Sequence, residues 1–429
     1  MPEFKTVRGM RDFLPEEAEL LRYIEAHARS VAKLYGYKEI ITPIVEPYEL
    51  LSAKAGEEVR SRMFVFKDLG DRNVALRPEF TASVARLVAT TFRNEPRPFR
   101  LFSVGTIYRY DEPQRGRYRE FWQSNYELMG STKPEADAEI LMLTDSLVGG
   151  CGLKNYAFRI GHVGVLRGIF KQEGLNESVQ NSVMQLMDKK QYDDAFRILE
   201  NAHMSKNGLE VLRKLVGLRG SVVFDVIEKM TNCVEGYESA VEAIGNFKEI
   251  LTLFLESKSK VELVVDAGFA RGLEYYTGMI LEIYIPYLDI ALGGGGRYDK
   301  LIGLFGGEAT PAVGIAHGLD RMMLGSQMQK AELVEKKRMK TVLVPVNERM
   351  IGKTLEIARN LREEGMLVEV EVMRRKIAKA LEDADRRKMD FAVIVGEKEL
   401  QEGKVVVRDL VKREQSTAKI DRIVDAIRK

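Results

Sequence analysis

Cysteine is nearly absent. Cys151 and Cys233 stand alone in 429 residues, which excludes a disulfide framework. Histidine is almost as scarce, and His27, His162, His203 and His317 are too scattered to give metal-ligand spacing, so no side-chain metal site is expected. No stretch stays apolar for the ~20 residues that a membrane span requires. The opening MPEFKTVRGMRDFLPEE has no apolar core of signal-peptide length, so a cytoplasmic location without a membrane partner is the expectation. An excess of one charge is missing too: 66 basic and 64 acidic residues leave a formal charge of +2. Nucleic-acid binding would have to come from local basic patches, because no global field exists to drive it.

What is present is a globular composition, 45% apolar and 30% charged, on a chain longer than one core usually serves. Residues 15 to 34 read as a helix: Pro15 suits a first turn, acids follow it, Leu20, Ile24, Val31 and Leu34 recur at helical spacing, and Gly36 stops it. Between 40 and 130, MFVFKD, NVALRP and FRLFSVGTIYRY alternate with turns and read as strands of an antiparallel sheet. Residues 165 to 258 change to Leu, Met, Lys and Glu at helical periods, which reads as a helical insertion, before strands return at VELVVDAG and MILEIYI. The charged stretch QKAELVEKKRMK at 329 to 340 reads as a linker. Beyond it, TVLVPV, LVEVEVM, FAVIVG and KVVVRDL alternate with helical segments, as in a small α/β domain with a largely parallel sheet.

Two constellations carry chemistry. RGLEYYTG at 271 to 278 and LGGGGRYDKL at 292 to 301 bring an arginine, two tyrosines and four glycines close in sequence. Arg271 offers a charged planar fork for carboxylate or phosphate, and Gly293 to Gly296 let a ligand approach the backbone. If Tyr275 and Tyr276 lie on a strand, their rings point to opposite faces. An ordinary strand and turn with surface tyrosines explains these residues equally well. In FWQSNYELMG, strand period two aligns Phe121, Gln123, Asn125 and Glu127 on one face. Polar groups in line beneath an aromatic ring suit a site better than a packed face, although a solvated face would also tolerate them. Nearby, DEPQRGRYRE reads as a long, mobile, charged loop; Arg109, Arg117 and Arg119 suit a polyanion, and Glu79 could hold an ammonium.

At this point the chain resembles the histidyl-tRNA synthetases, a family of subclass IIa within the class II aminoacyl-tRNA synthetases. RGMRDFLP at 8 to 15 is similar to the family's opening segment and LRPEFT at 76 to 81 to its amino-group pocket. YRYDEPQRGRYREFWQ at 108 to 123 resembles motif 2, and PAVGIAHGLDRMM at 311 to 323 resembles motif 3. RGLEYYTG and GGRYDKL are similar to the two signatures particular to histidine. The resemblance implies an α+β fold: a class II antiparallel catalytic core in residues 1–164 and 259–328, interrupted by a helical insertion at 165–258. After the 329–340 linker, it implies a C-terminal α/β anticodon-binding domain at 341–429.

Carried over by position, it implies that Glu79, Thr81 and Gln123 hold the α-amino end of histidine, and that Glu127 and Tyr276, with Tyr275 beside them, read the imidazole. Arg109 and Arg321 would clamp the phosphates of ATP, with Arg117 near them and Phe121 stacking on adenine. Arg271 would sit where the carboxylate meets the α-phosphate. The implied partners are L-histidine, ATP with Mg²⁺, tRNA(His), and a second copy of the chain through a motif 1 region near residues 20 to 48. Many relatives carry glycine in place of Asn125 and aspartate in place of Glu274. A synthetase-like regulatory subunit of histidine biosynthesis, which typically lacks an anticodon domain, and a tRNA-sensing pseudo-synthetase domain are the competing readings. NERMIGKT at 347 to 354 imitates a phosphate-binding loop, but Asn347 replaces its first glycine.

Overall fold

The computed structural model describes residues 4–53, 55–271, 275–331 and 339–428. Glu274 and most of the expected 329–340 linker lie outside them. The chain divides into two compact units, residues 1–332 and 333–429.

The first unit is built on a nine-stranded sheet. In spatial order the strands are Lys38–Glu39, Phe99–Tyr108, Glu120–Met129, Ala312–Gly318, Gly293–Arg297, Met279–Tyr284, Ala157–His162, Glu262–Asp266 and Arg219–Gly220. Neighbours run antiparallel except at two places, where Lys38–Glu39 joins Phe99–Tyr108 and Ala157–His162 joins Glu262–Asp266. Helix Pro15–Leu34 begins at its proline, carries Glu16 and Glu17 in its first turn, and buries Leu21, Ile24, Ala28 and Val31. That apolar stripe lies behind the sheet, where Tyr126 reaches from the Glu120–Met129 strand to donate to the Ala28 carbonyl at 2.9 Å. Strand pairing and packing therefore share the work: one face of Glu120–Met129 goes to the core through Tyr126 and Leu128, both nearly inaccessible to solvent.

Six helices from Val163–Gln172 to Glu238–Glu256 fill the interval before Glu262–Asp266. Two begin at side-chain caps, Asn176 accepting from the Val179 amide and Ser205 from the Gly208 amide, the arrangement that satisfies the free amides of a first turn. A separate three-stranded sheet joins Val45–Pro47, Asn73–Leu76 and Val65–Lys67.

In the second unit, Leu367–Val370, Lys340–Pro345 and Phe391–Val395 pair in parallel. Lys404–Asp409 and Glu414–Lys419 extend the sheet antiparallel, so it is only half parallel. The physical reason is connection length: residues 396–403 are too few for a crossover, which takes a dozen or more. At 347 to 354, Asn347 caps a short turn by accepting from the Arg349 amide, and Lys353 pairs with Glu356, so no glycine cradle forms there. Among the described residues no helix is long and apolar enough to cross a membrane.

Candidate functional site

The sheet's open face carries a cavity of about 980 Å³, mouth included, whose wall contains Glu79, Thr81, Arg109, Arg117, Phe121, Gln123, Glu127, Arg271, Tyr275, Tyr276 and Arg321. All the candidate residues from the sequence except Arg119 thus reach one space. Strand alternation does much of this. In register, Gln123 lies between Gly105 and Gly318, Asn125 between Ser103 and Ala316, and Glu127 between Leu101 and Gly314. Small neighbours on Ala312–Gly318 leave room for the large polar side chains beside them. A Cβ on Gly314 would stand 1.7 Å from Glu127 Oε2, and one on Gly294 would stand 2.0 Å from Arg271 Nη1. These glycines are required by close approach of side chains, not by backbone conformation.

Gly314→Ala is therefore expected to push Glu127 out of place and to cost about 1–3 kcal/mol, the usual penalty of overpacking. Urea unfolding checks this, and an unchanged midpoint would refute the contact.

At the inner end, Glu127 is only 1% exposed. Its Oε1 accepts from Thr81 Oγ1 and Asn125 Nδ2, each at 2.8 Å, and its Oε2 accepts from the Tyr298 hydroxyl. Burial pushes its carboxyl up to about 7, against the pull of those donors. Glu79 is also raised by burial, with Arg109 opposing, and accepts from Tyr275 at 3.2 Å. Burial lifts Tyr275 well above the phenol range and Tyr276 to about 12, so both hydroxyls keep their protons. Gln123 Oε1 is buried without a hydrogen-bond partner. A buried, unpaired acceptor beside two carboxylates is a place for a cationic donor such as an ammonium.

At the outer end three arginines converge. Arg109 Nε donates to the Pro78 carbonyl at 2.8 Å, and Arg321 donates to the carbonyls of Gly116 at 3.0 Å and Ala291 at 2.7 Å. Arg117 Nε is buried with no partner. Burial, then repulsion from Arg109 and Arg117, brings Arg321 down to about 10. Like charges held together against burial form a site for a polyanion. Arg271 lines the same cavity beside Tyr276 and donates to Glu282 at 3.0 Å. Burial opposes its charge most strongly, but Glu282, Tyr276, Asp188 and Tyr275 together outweigh it and hold the guanidinium above its ordinary range.

Three expectations need correction. Tyr275 and Tyr276 precede the Met279–Tyr284 strand; without strand alternation both rings enter the cavity, 4.9 Å apart. Arg119 does not face the polyanion end: its Nε donates to the Asp111 carbonyl, its guanidinium stacks on Tyr110 at 3.6 Å, and its amide donates to Gly9. The 111 to 120 segment is a closed turn, not a long free loop, because Gln114 and Arg117 exchange backbone hydrogen bonds and the Arg321 guanidinium holds Gly116.

Other contributors were not foreseen. Tyr298 follows the glycine strand, and Glu282 and Tyr284 alternate along the next one; period-two spacing in MILEIY was the available signal. Asp320 ties the opening segment to the site, accepting from Arg11 at 2.8 Å and from the Trp122 amide at 2.6 Å. That clamp seats Arg321 and Phe121, the sequence neighbours of its two ends.

Comparison with known proteins follows this geometry. The Histidyl-tRNA synthetase family model matches residues 9–322, and the Anticodon binding domain model matches residues 340–429. A histidine–tRNA ligase of Methanocaldococcus jannaschii is 40% identical over 98% of this chain and 99% of its own length. Among solved structures, the histidyl-tRNA synthetase of a Nostoc species has a TM-score of 0.81 at 24% identity, covering 100% of this chain and 99% of its own. A Bacillus halodurans structure, described as an ATP phosphoribosyltransferase regulatory subunit/histidyl-tRNA synthetase, has a TM-score of 0.76 at 25% identity and covers 89% of this chain and 97% of its own.

Proposed function

Because this chain belongs to the histidyl-tRNA synthetase family, we propose that it is a histidine–tRNA ligase: it activates L-histidine with ATP, releasing pyrophosphate, and passes the histidyl group to the 3′ end of tRNA(His). One observation carries the reading. A buried carboxylate ringed by donors and a cluster of three arginines open into the same cavity, as a small zwitterion and a nucleotide bound together require.

The chemistry follows from charge. The carboxylate of histidine is ionised at neutral pH, so adenylation needs no general base. It needs the carboxylate and the α-phosphate brought together with their mutual repulsion offset. Arg271, in the wall of that cavity, does this. Arg109, Arg117 and Arg321 hold the phosphates, and Phe121 stacks on adenine. Gln123 and Glu79 take the α-ammonium; Thr81, whose proton goes to Glu127, offers it lone pairs. Glu127 accepts an imidazole N–H, while the protonated hydroxyls of Tyr275 and Tyr276 serve the rest of the ring. The donor set also fits Mg²⁺: Glu282 is engaged by Arg271 and Tyr284, which leaves Asp289 in the lining as an oxygen ligand beside the phosphates. When bound, the ion would neutralise phosphate charge.

Transfer to tRNA assigns work to the second unit. Its Arg375, Arg386 and Arg387 are paired with Glu371, Asp383 and Glu369; such partly exposed pairs are worth at most ~1 kcal/mol and can be exchanged for phosphate. Removing residues 338–429 is expected to spare pyrophosphate exchange and to impair aminoacylation, and unchanged aminoacylation would deny the unit that role. A cytoplasmic homodimer completes the proposal, supported by the exposed apolar side chains of Leu34, Ile41, Ile44, Val45, Val65 and Phe66.

The deciding experiment is ATP–pyrophosphate exchange with each proteinogenic amino acid in turn. Exchange with histidine alone is the expected result. Histidine binding without exchange would instead assign the chain a regulatory or sensing role.

A further inference from the structure

We propose that Asn125 is a positioning residue for histidine selection: its fixed amide N–H holds Glu127 aimed into the cavity as an acceptor. This rests on the assignment of Glu127 to the imidazole.

The argument begins with what each neighbour of Glu127 is able to do. Thr81 and Tyr298 reach it through hydroxyls, and a hydroxyl rotates, donating to a carboxylate or accepting from a carboxylic acid with equal ease. Asn125 reaches Oε1 through Nδ2 at 2.8 Å, and an amide nitrogen only donates. Were Oε1 to take up a proton, Thr81 could turn to accept it, but Asn125 could not, and its N–H would be left against a neutral hydroxyl oxygen, a weaker acceptor than a carboxylate. All three contacts favour the ionised form, but only this one cannot reverse to suit the acid.

The need for such a group is visible in the surroundings. Glu127 is buried, and the charge of Glu79 adds to the pressure on it to become neutral. The other titratable groups around it, Tyr37, Tyr275, Tyr276 and Tyr298, are phenols raised by burial, so they contribute no positive charge. Backbone geometry fixes the amide in turn: Asn125 sits inside a strand paired on both sides, with Ser103 and Ala316 as its cross-strand neighbours, and it is 2% exposed. Space-filling alone would not require the nitrogen to point at Glu127.

Two variants separate the donor from the volume. Asn125→Asp preserves the shape and removes the donor; Asn125→Ala removes both. In ATP–pyrophosphate exchange followed across pH, both are expected to lower kcat/KM for histidine by about 10- to 100-fold near neutrality, the worth of a hydrogen bond to a charged group, with KM for ATP unchanged. The rise of kcat/KM with pH should also move to higher pH than in the unaltered protein, and Asn125→Asp should be the worse of the two because it places a second carboxyl against the first. An Asn125→Asp protein with the unaltered histidine KM and pH profile would overturn the proposal. So would a loss shared equally by ATP and histidine, which is the mark of a structural role. If the unaltered chain gave no histidine-dependent exchange, the assignment of Glu127 would fall first, and that outcome is distinct from both.

Discussion

Arg271→His is expected to lower histidine-dependent ATP–pyrophosphate exchange by about 10²- to 10³-fold, the cost of removing one preorganised group that meets charge in a transition state. The substitution replaces a permanent cation with an imidazole that is mostly neutral at working pH. The fold should survive, because Glu282 keeps the Tyr284 hydroxyl and lies 3.9 Å from Arg159, so its charge is not abandoned. The loss is expected in kcat more than in either KM, since Arg109, Arg117 and Arg321, the groups proposed to hold the nucleotide, remain in the cavity wall. A variant with near-normal exchange and an unchanged circular dichroism spectrum would remove Arg271 from the reaction.

Glu127→Gln should act on the other substrate. A glutamine can place its carbonyl against Thr81 and Asn125 and its amide against Tyr298, whose hydroxyl turns to accept, so the pocket stays assembled. What disappears is the buried charge proposed to face the imidazole, and kcat/KM for histidine is expected to fall by about 10²-fold or more. ATP affinity should not change. The sign of the pH effect is also set. Glu127 is a charged acceptor, and the stronger one, only when ionised, so in the unaltered protein histidine binding is expected to weaken as pH falls through about 7, and Glu127→Gln should flatten that limb. Titration calorimetry with each ligand separates the possibilities, and equal losses for histidine and ATP would contradict the assignment.

Much of this site could be read from the chain because it rests on a two-residue period. Phe121, Gln123, Asn125 and Glu127 are separable from Tyr126 and Leu128 by counting alone, and the Pro15–Leu34 helix carries its own start signal and stripe. Counting failed where the period lapses. Tyr275 and Tyr276 were expected on opposite faces, but their segment is a turn, and a turn obeys no alternation. Arg119 resembles Arg109 and Arg117 in sequence; only the fold decides that Gly9 and Asp111 take it away from them. Glu414–Lys419 escaped notice because it is an exposed edge strand with almost no apolar residue, and apolar pattern is the signal by which strands are recognised. Asn125 was visible as a departure from relatives, yet its bond to Glu127 is a matter of rotamer, which no sequence period encodes.

The Glu120–Met129 strand has a further consequence. One of its faces lines the cavity and the other seals a core, and consecutive residues alternate between the two. A slip of one position in its pairing would bury Gln123, Asn125 and Glu127 among aliphatic side chains and turn Tyr126 and Leu128 toward solvent. A misregistered chain therefore loses its stability together with its chemistry and cannot persist as a folded protein of altered specificity. For a protein whose errors would be copied into every product of translation, a defective molecule of this kind would be removed by unfolding before it could mischarge.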